Sequence, residues 1–272
     1  MVLWLAVAGP LFGAGVLAFF WLGEAGLSPG ERRDLARRLS GGPAAASLAE
    51  RAQVFGRLFD GLFGIDALRW RFLLGAGLTS LLAVAFFFAT FLIRYPVFAD
   101  SLVGDSFQRL AVGRQLGPAP LLLSAVVDFL CLAWCREIAS QLRRPGGRAQ
   151  LAGCLLKDLG VKLVIFLLAM ALLFLTLAGE GGFGGDSATA LRAIPPTLLA
   201  AAGFRGLGAV YLYAALLSSF WLWSFLLAWP LAARAAGALA RHLPLESHPA
   251  RVLGLVAAAL ATLAYWLALA AS

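Results

Sequence analysis

The chain has 272 residues, 61% of them hydrophobic and only 13% charged. Soluble domains carry about 25% charged residues, so this composition cannot dress a water-soluble fold of such length, and lipid must solvate much of it. The net charge of +8 does not point to nucleic acid, because the basic residues sit between apolar runs and form no stripe with interleaved aromatics.

In chain order, residues 1–23 are uncharged and predict a first transmembrane helix. They lack a basic leading region and a small-residue cleavage site, so an uncleaved span is expected rather than a signal peptide. Gly9 and Gly13 form a GxxxG face that lets helices approach closely in lipid.

Residues 24–71 predict a cytoplasmic amphipathic helical segment. Ser28-Pro29-Gly30-Glu31 and Ser47-Leu48-Ala49-Glu50 both read as capping boxes, and Gly41-Gly42-Pro43-Ala44 as the joint between two helices. Phe55, Leu58, Phe59, Leu62 and Phe63 repeat at helical spacing, with Arg51, Arg57 and Asp60 off the stripe. The favoured place for such a face is flat in the membrane interface. Packing beneath the helices and gripping a partner are the alternatives.

Residues 72–272 predict five more spans, at about 72–93, 117–135, 160–179, 206–232 and 252–271. The fourth span of the six is short and is expected to borrow Lys162 by snorkelling. Gly254, Ala258 and Thr262 place small groups on one stripe of the last span. The small faces suit internal packing, or an interface in a homo-oligomer or with partner membrane proteins.

The whole is an all-α integral membrane protein of about six helices. Seventeen Lys and Arg residues fall in the loops after the odd-numbered spans and flank them, against five (Arg94, Arg109, Arg114, Arg192, Arg205) in the alternating loops. The basic set is therefore cytoplasmic and both termini lie outside. Trp21, Trp70, Trp134 and Trp229 fall at cytoplasmic span ends and Trp4 at an outer one, as headgroup-level rings should. The Ala-, Leu-, Gly- and Arg-rich usage suggests a GC-rich bacterium and hence its inner membrane.

Outside the membrane, Gly104-Asp105-Ser106 and Gly185-Asp186-Ser187 recur before short helical stretches and prolines, a match short enough for chance. Thr197 to Phe204, apolar and following Pro195 and Pro196, suits a re-entrant turn.

Asp128 is the residue singled out for chemistry, because a carboxyl deep in a span is costly and marks a functional site by default. Ser124 lies on its helical face, and Ser218 and Ser219, or Thr79 and Ser80, stand at matching depth. The site is either a proton or cation station or a carboxyl hydrogen-bonded across the helices; the second reading is favoured.

Three cysteines (Cys131, Cys135, Cys154) make no disulfide framework and no ligand set. His242 and His248 both fall in the last cytoplasmic loop, away from any buried serine or haem position. No cofactor, no metal and no enzymatic activity are expected.

The run Val54-Phe55-Gly56-Arg57-Leu58-Phe59-Asp60-Gly61-Leu62-Phe63-Gly64, then Leu68-Arg69-Trp70-Arg71-Phe72, resembles the entry to the first conserved span of a group of uncharacterised bacterial multi-span proteins. Asp105 to Arg114, followed by Val127-Asp128, is similar to the next part of that pattern. The likeness covers about 75 residues and implies a multi-span membrane fold without an activity. The expected function is a non-enzymatic membrane component that docks partners. A channel or membrane-permeabilising effector is the alternative, and a small transporter using Asp128 the third reading.

Overall fold

A computed structural model describes residues 2–40, 47–66, 69–95, 117–144, 148–180, 182–203, 205–239 and 247–271. The joint at 41–44, the turn at 104–106, Phe204 and His242 lie outside the described residues.

Among the described residues the fold is helical without strands. In chain order the helices are α1 (Val2–Ala25), α2 (Pro29–Ser40), α3 (Leu48–Phe63), α4 (Trp70–Arg94), α5 (Pro118–Leu142), α6 (Arg148–Gly179), α7 (Ser187–Arg192), α8 (Ile194–Ala202), α9 (Gly208–Leu239) and α10 (Pro249–Ala271). Trp70–Ile93, Pro118–Leu142, Ala149–Gly179 and Gly208–Leu226 are long and apolar enough to cross a membrane. Shorter apolar stretches run over Gly9–Ala25 and Pro249–Leu263. The 32 residues of α6 reach about 48 Å, beyond the ~30 Å of hydrocarbon.

The chain divides into two compact units. The first comprises Met1–Gly75, Trp134–Leu156 and Ser219–Ser272. Here α2 and α3 start where their capping boxes stand: the Ser28 N–H donates to Glu31 Oε2 (2.9 Å) and the Ser47 N–H to Glu50 Oε2 (2.7 Å), while the Glu31 and Glu50 N–H groups donate back to the serine hydroxyls at 3.3 Å. These bonds, from the serine backbone first and its hydroxyl second, hold both glutamates below their ordinary range.

The apolar face of α3 does not lie open in the interface. Phe55, Leu58, Phe59 and Phe63 are buried within this unit, and Leu62 is half-buried. Phe55 stacks on Phe19 of α1 (5.8 Å) and meets Phe225 of α9 (5.5 Å), while Phe63 reaches Phe72 of α4 (5.8 Å). Of the three destinations weighed, packing under the chain's own helices is the one realised. The physical reason is close backbone approach. Gly61 of α3 meets Gly23 and Gly26 of α1, and a Cβ on Gly61 would stand 2.6 Å from the Gly23 carbonyl oxygen. Glycines on both sides bring the rings of the two helices into register. Burying each Phe contributes roughly 1.5–3 kcal/mol because α3 would otherwise face water or headgroups.

The small-residue stripes face one another. The Thr262 hydroxyl donates to the Gly9 carbonyl (3.2 Å), a Cβ on Gly13 would strike Thr262 and Ala258, and one on Gly254 would stand 2.5 Å from Phe20 Cβ. Gly9, Gly13, Gly254 and Ala258 thus serve internal packing of α1 on α10.

Charges fasten the same unit. Glu24, 1% exposed, takes the His248 Nδ1 contact (2.8 Å) and the Arg251 backbone N–H (2.8 Å), so it caps the first turn of α10 from the far end of α1. Arg136 of α5 donates to Asp60 of α3 at 2.8 Å. Burial pushes the Asp60 carboxyl up, and Arg136 opposes that shift. Trp21 and Trp70 are exposed, with Arg251 5.0 Å above the Trp21 ring. Trp134 is half-buried, and Trp229, 1% exposed, packs on Phe225 at 5.3 Å.

The second unit comprises Ala76–Ala133 and Lys157–Ser218. One apolar cluster joins Val127 and Cys131 of α5, Phe166 and Met170 of α6, Ala201 of α8 and Leu212 of α9. Another joins Ala83, Val84 and Phe91 of α4 to Leu207, Val210 and Ala214. The Tyr213 hydroxyl donates to the Ala202 carbonyl (2.9 Å) and ties α8 to α9. Asp186, as expected of its turn, caps α7 by accepting from the N–H groups of Ala188 and Thr189 at 3.0 Å and from the Thr189 hydroxyl. Those bonds, the hydroxyl's first, hold its carboxyl below the ordinary range. Lys162 does not snorkel. It is fully buried with Asp158, one turn earlier on α6, at 3.0 Å.

Candidate functional site

The site is built on α5, where Ser124, Asp128, Cys131 and Cys135 share one face at i, i+4, i+7 and i+11. All four are buried. In the second unit α4 brings Ser80 against this face. Its hydroxyl shares a hydrogen bond with the Asp128 carboxyl group and lies 3.5 Å from the Ser124 hydroxyl, where either oxygen can be the donor. Asp128 Oδ2 has no partner among the described residues.

Of the other residues expected here, Ser218 turns elsewhere and donates to the Cys131 carbonyl at 3.4 Å. This bond ties α9 to α5 without reaching Asp128. Ser219, also buried, belongs to the first unit. Depth counting had offered Ser80 and the Ser218–Ser219 pair as alternatives, and the helix contacts select Ser80.

Beside the cluster lies a cavity of about 640 Å³ within the second unit. Its walls are apolar side chains of α5, α6 and α8, among them Leu123, Phe166, Met170 and Ala200. The polar groups on its lining are few: Ser124, Thr197, Tyr211 and Arg205. Ser124 is common to cavity and cluster, so the hydroxyl chain from Asp128 ends at the cavity wall. A space of this size falls in the ~300–1,000 Å³ range of small-molecule sites.

Sequence reasoning missed the cavity and the ion pair of Asp158 with Lys162. The second had a signal, an Asp four residues before a Lys on one helix. The cavity had none, because it depends on how α8 lies against α5 and α6.

The cysteines are buried and form no disulfide among the described residues, and no group of three or more His, Cys, Asp or Glu residues that could hold a metal occurs among the described residues. His248 is engaged with Glu24. The chemistry open to this arrangement is hydrogen bonding and the housing of an apolar molecule. No protein-family model matches the chain, and neither does any curated protein or solved structure.

Proposed function

We propose that the chain is a non-enzymatic component of the bacterial inner membrane, crossing it six times with both termini outside. The six crossings comprise the four long apolar helices plus α1 and α10, whose apolar stretches pack along one another. The loop charges support the direction.

The observation that carries the non-enzymatic reading is the use made of the buried acidic groups. Glu24 joins α1 to α10, Asp60 is paired with Arg136, and Asp128 is bonded to Ser80. They hold helices together. The apolar face that α3 would offer a partner is already covered by Phe19, Phe225 and Phe72. Docking therefore falls to the outer loops and to exposed leucine faces such as Leu74, Leu78, Leu81 and Leu82 of α4.

A second reading, a small transporter, is favoured by the unpartnered Asp128 Oδ2 and by the hydroxyl chain ending at the cavity. Proton flux into liposomes carrying the purified protein separates the two. Absence of flux, with a membrane protein co-purifying in fixed ratio, is the expected result. Flux that disappears in Asp128→Asn would replace the component by a transporter.

A further inference from the structure

We infer that the cavity of the second unit binds an anionic phospholipid, with one acyl chain inside it and the phosphate against Arg205. The cavity measures about 640 Å³ and its lining is mostly apolar, so within a bilayer protein it suits a largely apolar occupant.

Its depth suits a chain. Pro120, Leu177 and Gly208 line it near the ends of α5, α6 and α9, while Val127 and Phe166 line it deeper. Val127 stands seven residues from Pro120 and Phe166 eleven from Leu177, so the cavity runs roughly 10–17 Å along the helices at 1.5 Å per residue.

Charge supplies the second half of the match. Arg205 lies three residues before the start of α9, at the helix ends where headgroups sit, and it is exposed. Among the described residues no carboxylate pairs with its guanidinium. Gly206, with φ +71°, turns the chain directly after it, a conformation that other residues adopt only with strain. A planar guanidinium at the mouth of an acyl-sized slot is the chemistry that holds a phosphate oxygen pair. Phosphatidylcholine offers the same phosphodiester, but its trimethylammonium would stand beside the Arg205 guanidinium, like charge against like, so the anionic headgroup is favoured over the zwitterionic one.

The test uses the full chain in nanodiscs of equal parts phosphatidylglycerol and phosphatidylcholine with matched chains, released into neutral detergent and weighed by native mass spectrometry. The expected result is a monomer retaining one phosphatidylglycerol. Arg205→Gln, an exposed substitution, should cut the preference for phosphatidylglycerol about fivefold, the scale of one basic residue at an anionic surface. Ala200→Phe, which fills the wall, should lose both lipids while Arg205→Gln still retains phosphatidylcholine. Equal retention of the two lipids by the unaltered chain would overturn the proposal, as would a lipid-free monomer or a lipid-free dimer. An Arg205→Gln variant with unchanged preference would overturn it as well.

Discussion

The two units both pack apolar side chains between helices but differ in what they add to that packing. In the first, charged groups join elements far apart in sequence: Glu24 reaches His248 and Arg251, and Asp60 reaches Arg136. In the second, the contacts between helices are apolar clusters supplemented by hydroxyls, as between Ser80 and Ser124 or Ser218 and the Cys131 carbonyl. Its buried ion pair, Asp158 with Lys162, spans one turn of a single helix. The difference follows from the solvent. The first unit includes α2, α3 and the charged ends of α1, α5 and α10, where charges can meet across elements. Helices immersed in lipid gain little from apolar contact alone and hold by shape and weak hydrogen bonds.

The largest test of this contrast is Glu24→Ala. It leaves the first turn of α10 uncapped beside His248 and Arg251, and stability in detergent should fall by about 3 kcal/mol, seen as an earlier melting transition. Glu24→Gln, which keeps an acceptor for the Arg251 N–H, should lose less. Next in size is Gly13→Val. The added groups collide with Ala258 and Thr262 across α1 and α10, at a cost of about 2 kcal/mol, read in the same melt. If both leave the transition unmoved, charge and close packing are not what binds the first unit.

Ser47→Ala should cost about 1 kcal/mol, confined to the start of α3 and visible as faster amide exchange there. The effect has a pH signature. The Glu50 carboxyl is held below its ordinary value of 4.5 by Ser47, so the box stabilises α3 above that pH and is lost as pH falls through the lowered value. Protection at the start of α3, relative to the intrinsic exchange rate, should therefore fall below pH 4.5 in the unaltered chain and less so in Ser47→Ala. The smallest effect belongs to the second unit. Ser80→Ala removes the bond to Asp128 and the longer 3.5 Å contact with Ser124, and should cost about 0.6 kcal/mol in lipid. A loss as large as that of Glu24→Ala would erase the contrast between the units.

Legibility in the sequence tracked distance along the chain. The two capping boxes and the spacing of Phe55, Phe59 and Phe63 are local, and they could be read directly. The small stripes at Gly13 and Ala258 were equally visible, but not that they face each other, because their pairing spans most of the chain. The burial of the Trp229 ring was not legible, because a tryptophan at a span end looks the same in sequence whether its ring turns outward or into a core. Lys162 was misplaced for a like reason: its partner Asp158 was in view, yet the burial of both depends on neighbouring helices. At the candidate site, Asp128 could be singled out by its cost, and Ser80 only as one option among several.

The capping of α10 by Glu24 also sets a clock on assembly. The acceptor is made early and its partner His248 comes 224 residues later, roughly 10–45 s of synthesis at 5–20 residues per second. Through that interval a carboxylate at the end of the first helix waits without the groups that will enclose it. Closure of the first unit therefore waits on the synthesis of α10, and until then Glu24 lacks the Arg251 N–H that it caps.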